Sequence, residues 1–260
     1  MISMWAWLAH DLRFYRTKAR MSGETLCRIL GVARSTLSRL ETGQAKLDEK
    51  QAMILDRYWD TGGHFLRLLT YAKLGHDPDW FKEHLGYEAR ASVLKIYELA
   101  LIPGLLQTEA YARALFAAAG VEDLDEHVAE RMLRQETLDR RPRPLLWVLL
   151  TEGVLDWPVG GPKAMRAQLA RLLEVSELPN VSIHVVPRRS GAHIGGDGAF
   201  KVMTVPEGDV AYAESHGGGR LILSAAEIRA YGNRYERIGA KALPEDSSRS
   251  LIEHVMETME

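Results

Sequence analysis

Apolar positions in residues 1–75 recur at steps of three and four, and polar breaks divide them into five short blocks. Trp5, Leu8, Leu12, Tyr15 and Ala19 mark one face of a first helix over 5–20. Leu26, Ile29 and Leu30 mark a second helix, with Ser22 as its N-cap and Glu24 in its first turn, where the helix dipole favours negative charge. Gly31 closes it, because a left-handed position costs glycine least. A third helix starts at Arg34 with Leu37 and Leu40 facing inward, and Thr42-Gly43 ends it. Asp48 caps a fourth through about Tyr58, with Met53, Leu55 and Tyr58 inward. Gly62-Gly63 breaks that helix. Phe65, Leu68, Leu69 and Ala72 then predict a fifth, ending at Gly75. The pattern predicts an all-α domain of five short helices.

The pattern changes at His76-Asp-Pro-Asp-Trp-Phe81, where proline and turn formers interrupt the helical spacing, so a second domain is expected over 76–260. Residues 82–99 read either as one helix or as a helix followed by a strand near 92–99, and periodicity does not decide. Pro103-Gly104 predicts a tight turn, and Thr108 caps a helix that runs to Ala119 before Gly120. Asp123 or Asp125 opens another, containing Val128, Met132 and Leu138, with Arg131, Arg134 and Gln135 on its other faces. Pro142-Arg-Pro144 stops it. The unbroken apolar run over 145–151 reads as a buried strand, and 152–157 as a short turn or helix. Residues 162–177 form an amphipathic helix on Met165, Leu169, Leu172, Leu173 and Leu178. Strands are expected at 181–186, 200–205 and 210–214, with 221–223 a candidate fourth. Ser224 caps a helix to about Ala240, and Glu245–Ser248 starts the last one. This second domain is therefore expected to be α+β, with a mainly antiparallel sheet of about four to five strands.

Composition adds little and charge adds more. The apolar (46%) and charged (26%) fractions are those of an ordinary globular chain, and the formal net charge is −2. Residues 1–75 hold 12 Lys/Arg against 7 Asp/Glu, whereas residues 76–260 hold 21 against 28. That asymmetry fits a small anion-binding module followed by an acidic domain with a different task. The single cysteine, Cys27, excludes an internal disulfide framework and reads as a small buried residue. No apolar run approaches the roughly 18–20 residues of a membrane span, and the N-terminus has no signal-peptide pattern. The expected location is cytoplasmic, on the nucleoid when DNA is bound.

The chemistry begins on the third predicted helix. With Leu37 and Leu40 inward, Arg34, Ser35, Ser38 and Arg39 point out. Arginine can grip the O6/N7 edge of guanine with two bonds, and hydroxyls can bond bases or phosphates, so this face suits a DNA major groove. Two short helices joined by a turn make the helix-turn-helix hypothesis.

The run Ser22-x-x-x-Leu26-x-x-x-Leu30-Gly31-Val32-x-x-Ser35-Thr36-Leu37-Ser38-Arg39-Leu40-Glu41-Thr42-Gly43 resembles the Cro/repressor (Xre-type) helix-turn-helix family. The resemblance implies an ion pair between Arg16 and Glu41, an orienting device rather than a large source of stability; the alternative is two exposed charges on separate helices. It implies base or groove readout by Arg34, Ser35, Ser38 and Arg39, with Thr36 flanking. Phosphate contacts would fall to Ser22, the backbone N–H of Gly23, Gln44 and Lys46. Gly23 stands where the family has a glutamine, Cys27 where it has an alanine, and Gln44 where it has a basic residue. These departures leave the reading face intact and make the phosphate clamps modest.

Further motifs carry a second resemblance. They are Ile102-Pro-Gly-Leu-Leu-Gln-Thr-x-x-Tyr-Ala-Arg-Ala-Leu115, Arg-Met-x-Arg-Gln at 131–135, Gly-Gly-x-x-x-Met-x-x-Gln-Leu at 160–169, Pro-Asn-Val-Ser-Ile-His-Val-Val-Pro at 179–187 and Val-Ala-Tyr-Ala-Glu at 210–214. Together they resemble bacterial Xre-type regulators with a C-terminal domain of uncharacterised function, including developmental regulators of the WhiJ type. That resemblance implies transcription regulation. Members are often encoded beside a very small partner protein, and some such pairs behave like antitoxin and toxin. The expected partners are double-stranded DNA, a second copy of the chain and a small protein encoded nearby, with no membrane. One such domain reads few base pairs, so a homodimer on a roughly palindromic site is expected, its half-sites about 10 bp or a multiple apart.

Candidate partner or ligand residues in the second domain are Pro103, Gly104, Gln107, Trp147, Trp157 and Tyr212, although Pro103-Gly104 reads equally as a structural turn. His184, His193, Asp197, Glu214 and His216 lack the spacing of a zinc motif. The glycine-rich run Ser190–Gly198 leads from strand to strand rather than into a helix, so it reads as a long hairpin loop and not a phosphate loop. No nucleophile-elbow pattern is present. The reading therefore expects no catalytic residue, no metal, no cofactor and no enzyme. Its rivals are an antitoxin-like protein that neutralises a small partner and, more remotely, a ligand- or nucleotide-processing enzyme.

Overall fold

The structure, a computed structural model, describes residues 4–74, 80–215 and 219–259. Its internal contacts divide the chain into one unit ending at Trp80 and another starting at Phe81.

The first unit contains α1 (Met4–Lys18), α2 (Gly23–Leu30), α3 (Arg34–Glu41), α4 (Glu49–Trp59) and α5 (His64–Leu74). The predicted stops act as expected. The Ser22 hydroxyl accepts from the Thr25 N–H at the start of α2, and Gly31 ends that helix in the left-handed conformation, φ +66°. Asp48 and Gln51 form a reciprocal capping box on α4. Leu8, Leu12, Leu26, Cys27, Leu37 and Leu40 are all buried in one core, and Leu55, Phe65 and Leu69 complete it. Three expected inward residues are not inward. Ala19 lies beyond the end of α1 and is exposed, and so are Met53 and Tyr58. On α4 the buried stripe is Ala52–Leu55 with Trp59 half-buried, because 52, 55 and 59 follow helical steps and the pair 53 and 55 does not. The Asp56 carboxylate caps α5, accepting from the N–H groups of Phe65 (2.8 Å) and Leu66 (2.9 Å). Gly75 and the predicted boundary at 76–79 lie outside the described residues.

The ambiguity over 82–99 resolves as a helix and then a strand: α6 (Trp80–Arg90), which belongs to the second unit from Phe81 onward, and β1 (Val93–Glu98). There follow α7 (Glu109–Ala118), α8 (Leu124–Leu133), β2 (Leu145–Thr151), the single turn α9 (Gly153–Asp156), α10 (Pro162–Val175) and β3 (Val181–Val186). The chain ends with β4 (Phe200–Val205), β5 (Gly208–Ala213), β6 (Arg220–Ile222), α11 (Ala225–Gly239) and α12 (Glu245–Thr258). The strands form one six-stranded sheet in the order β3-β2-β1-β4-β5-β6. The β1–β2 and β2–β3 pairs are parallel, with helices in their crossovers, and the other three pairs are antiparallel. The sheet is thus mixed but mostly antiparallel. It exceeds the expected four to five strands because β1, ambiguous in sequence, supplies its centre.

Two details differ from expectation for physical reasons. The run 190–198 is not a hairpin loop: β3 and β4 are separated in the sheet by β2 and β1, so this segment crosses over two strands through two 3-10 turns. Neither Asp123 nor Ser224 gives a side-chain cap; Asp123 stands at the N-cap in a left-handed conformation, φ +46°.

Cross-strand register sorts the faces. Tyr97 pairs with Phe200, and with Ile228, Tyr235 and Ile238 of α11 they form the core on one side. Ile96 pairs with Lys201, which pairs with Tyr212, so these three share the opposite face, and Glu98 joins them two residues along.

Candidate functional site

Two places combine exposed or cavity-lining polar side chains with a rigid support. The first is α3. Leu37 and Leu40 are buried, while Arg34, Ser35, Ser38 and Arg39 are all exposed and Thr36 is half-buried. At 100° per residue the four exposed side chains span about 140° of the helix, opposite the leucines. Below them, Arg16 donates to Glu41 from Nε (2.5 Å) and Nη2 (2.9 Å), and from Nη1 to the Met21 carbonyl (3.2 Å). Both partners are mostly buried, with side-chain exposures of 19% and 13%. The Glu41 carboxylate raises the pKa of Arg16, chiefly through its hydrogen bond. One guanidinium thus ties α1, the entrance of α2 and the end of α3 together.

The phosphate candidates are less uniform. Gln44 and Lys46 are exposed, but Lys46 Nζ sits 5.0 Å from the Trp5 ring centre, so its ammonium has an aromatic neighbour already. The Ser22 hydroxyl serves as the cap of α2 and lies 2.9 Å from Thr25 Oγ1. Gly23 occupies the first turn of α2, with its N–H among the groups a helix leaves unpaired.

The second place is a cavity of about 400 Å³ in the unit that starts at Phe81. Its floor is the sheet face bearing Glu98, Lys201 and Tyr212; Arg131 and Arg134 reach it from α8 and the 3-10 turn that follows. Leu101, Ile102, Leu115 and Phe116 supply an apolar wall. Beneath it, Glu88 of α6 is fully buried and binds Arg134 twice, from Nε and from Nη2 (2.8 Å), and Lys201 Nζ at 3.3 Å. Burial alone would raise the Glu88 pKa, but Lys201 and Arg134 more than offset it and hold the group at about 2. His84 stacks on Tyr212 with ring centres 4.1 Å apart. Burial, and then Lys201, push His84 down to about 3, so it is neutral and donates Nδ1–H to the Phe81 carbonyl. Its Nε2 is buried with no hydrogen-bond partner among the described residues.

Three amide side chains explain the motif at 102–108. Gln107 donates to the Ile102 carbonyl (2.7 Å), and Gln135 to the Gln107 carbonyl (2.6 Å). Gln168 donates to Leu106 O and accepts from Thr108 N, both at 2.7 Å. Tyr111 Oη accepts from the Ile102 N–H. The buried loop thereby has side-chain partners for its backbone groups. Gly104 is a site of close approach: a Cβ there would lie 3.2 Å from Arg131 Cδ.

Of the candidate partner or ligand residues, Gly104, Gln107 and Tyr212 border the cavity. Pro103 is buried and opens the 3-10 turn. Trp147 and Trp157 do not border it. Trp147 pairs in register with Lys95 on the face covered by α11, one residue out of phase with the Glu98 face, and Trp157 is 55% exposed. Arg131, Arg134 and Gln135, placed by the sequence only off the apolar face of their helix, converge on the cavity and its loop. Their spacing of i, i+3, i+4 is the signal that places all three on one side of a helix. Among the described residues no group of His, Cys, Asp and Glu could hold a metal. His184 binds Leu243 O, His193 accepts from Gly195 N, Asp197 pairs with Arg234, and Glu214 lies 3.9 Å from Lys201; His216 lies outside the described residues. Among the described residues no helix is long and apolar enough to cross a membrane.

Comparison with known families matches residues 7–69 to a helix-turn-helix domain and residues 81–254 to a domain of unknown function, DUF5753. No curated protein and no solved structure matches the chain.

Proposed function

Since the chain belongs to the DUF5753 family and carries a helix-turn-helix domain ahead of that region, we propose that it is a sequence-specific DNA-binding transcription regulator of the Xre type, related to the WhiJ-like regulators. The observation that carries this reading is the face of α3, where two arginines and two hydroxyls are exposed on a helix clamped from behind by Arg16 and Glu41. An exposed guanidinium fork on a fixed helix can reach a guanine edge in the major groove with two bonds. Ser22 and Gly23 at the start of α2, and Gln44 and Lys46 after α3, supply phosphate contacts, which orient without specifying. A single reading helix covers few base pairs, so the chain acts as a homodimer on a pseudo-palindromic site in the cytoplasm. The unit from Phe81 onward senses a ligand or a small protein partner, and no catalytic step is part of its role.

Selection of binding sites from random-sequence DNA by the full chain tests this reading. An enriched pseudo-palindrome with half-sites about 10 bp or a multiple apart is the expected result. Recovery of no enriched sequence overturns it.

A further inference from the structure

We infer that the cavity over Glu98, Lys201 and Arg131 binds a small amphipathic organic acid, its carboxylate held by Arg131 and its apolar body lying against Ile102, Leu115 and Phe116. This deepens the sensing role proposed above, and rests on that reading only for the regulatory consequence of binding.

The argument starts from hydrogen bonds left open at the cavity wall. Glu98 is only 6% exposed, its backbone is part of the β1–β2 ladder, and its carboxyl borders the cavity with no side-chain hydrogen bond among the described residues. A buried polar group in that state costs free energy unless something meets it. Arg131 differs from Glu98 in having partners, none of them a carboxylate within 4 Å among the described residues. Its guanidinium donates to Gln107 Oε1 (2.5 Å) and stacks 4.8 Å from the Phe116 ring, and neither partner carries charge. Arg134 and Lys201, by contrast, share Glu88.

The charge balance then selects the sign of the ligand. Burial, and next Glu214, push the Glu98 carboxyl up to about 8, against the opposing pull of Lys201. At neutral pH it is a neutral O–H donor. Among the described residues the cations Arg131, Arg134 and Lys201 then face the two carboxylates Glu88 and Glu214, and Arg131 is the cation with no carboxylate within 4 Å. Burial, and next Arg134, lower the Arg131 pKa, against the opposing pull of Glu214 and Glu88. A carboxylate ligand supplies the missing charge, accepts two parallel bonds from the guanidinium fork, and accepts from the Glu98 O–H. An ammonium ligand would add a fourth cation. The aliphatic and aromatic side chains on the other wall account for the apolar body, and about 400 Å³ is within the range of small-molecule sites.

Calorimetric titration of the full chain with 3-phenylpropionate, 3-phenylpropylamine and phenyl phosphate tests the inference, with DNA binding followed on the same sample. Saturable binding of the acid and none of the amine is expected. Arg131→Met should weaken the acid by about ten- to a hundred-fold, and Arg131→Lys should recover part of that loss. Equal binding of the amine, or no saturation by the acid at about 1 mM, overturns the proposal. Preference for the phosphate ester over the acid overturns the carboxylate assignment. If Arg131→Met does not fold, the wild-type comparison of acid with amine decides alone. DNA binding without acid binding sinks this inference and leaves the regulator reading standing; acid binding without DNA binding does the reverse.

Discussion

Arg16 and Glu41 are 25 residues apart in sequence and face to face in the fold, joined by two hydrogen bonds of 2.5 and 2.9 Å behind the exposed face of α3. Removing one partner strands the other in a mostly buried position. Glu41→Gln should therefore lower the stability of the helix-turn-helix unit by about 1–3 kcal/mol, read from urea unfolding. The double variant Arg16→Met/Glu41→Leu removes both charges and should lose less, because it leaves no unpaired ion. A double variant as damaged as the sum of the singles would contradict this account.

Arg34 and Arg39 are exposed on α3 and contribute nothing visible to the core. Arg34→Ala or Arg39→Ala should weaken binding to the selected site by about 1–3 kcal/mol and relax one base position each, with an unchanged unfolding midpoint. Binding by the unaltered chain should fall steeply with salt, as phosphate contacts release counter-ions. Unchanged footprints for both variants would remove α3 from the reading role.

The first unit was legible in sequence because its information is local. Ser22, Gly31 and Asp48 act within their own turns, and the leucine spacing alone orients α2 and α3. The Arg16–Glu41 pair came from the family resemblance rather than from spacing. The second unit was legible as elements and not as a site. Glu88, Glu98, Arg131, Arg134 and Lys201 come from α6, β1, α8, the turn after it and β4, and no periodicity within one segment announces that they meet. Lys201 was the available hint, since a lysine in the mostly apolar run 200–205 must find a buried anion or a cavity. Topology misled at 190–198 because strand-to-strand connectivity looks the same whether the strands are neighbours or two places apart.

Glu88 holds two cations under the cavity, so Glu88→Gln should destabilise the second unit by about 3–5 kcal/mol. Acid should act on the same cluster. Glu88 titrates near 2 in the fold against 4.5 unfolded, so its contribution is complete above pH 4.5 and is lost as pH falls towards 2. His84 titrates near 3 in the fold against 6.5 unfolded, so the unfolded chain takes up its proton first and stability already declines below pH 6.5. His84→Phe should flatten the fall in melting temperature between pH 6.5 and 4.5, and a slope as steep as that of the unaltered chain would remove His84 from the explanation.

Glu98 has the opposite dependence. Burial comes first among the causes that raise it to about 8, and Glu214 adds to it; Lys201 opposes, and Tyr97 and Tyr111 are the neighbouring groups that feel its charge. The unfolded carboxyl releases its proton near 4.5 while the folded one keeps it to about 8. Its contribution to stability therefore falls as pH rises from 4.5, and the fall is complete above 8. Glu98→Gln keeps an N–H donor at that wall and removes the titration. The melting temperature of this variant, measured relative to the unaltered chain, should rise steadily between pH 5 and 8 and level off above. The same protonation governs the cavity, so affinity for 3-phenylpropionate should drop above about pH 8 in the unaltered chain, where an ionised Glu98 faces the carboxylate, and stay level in the variant. A parallel pH profile for the two proteins would show that Glu98 does not titrate differently in the folded and unfolded chain over this range, and would remove its protonation from the account of the cavity.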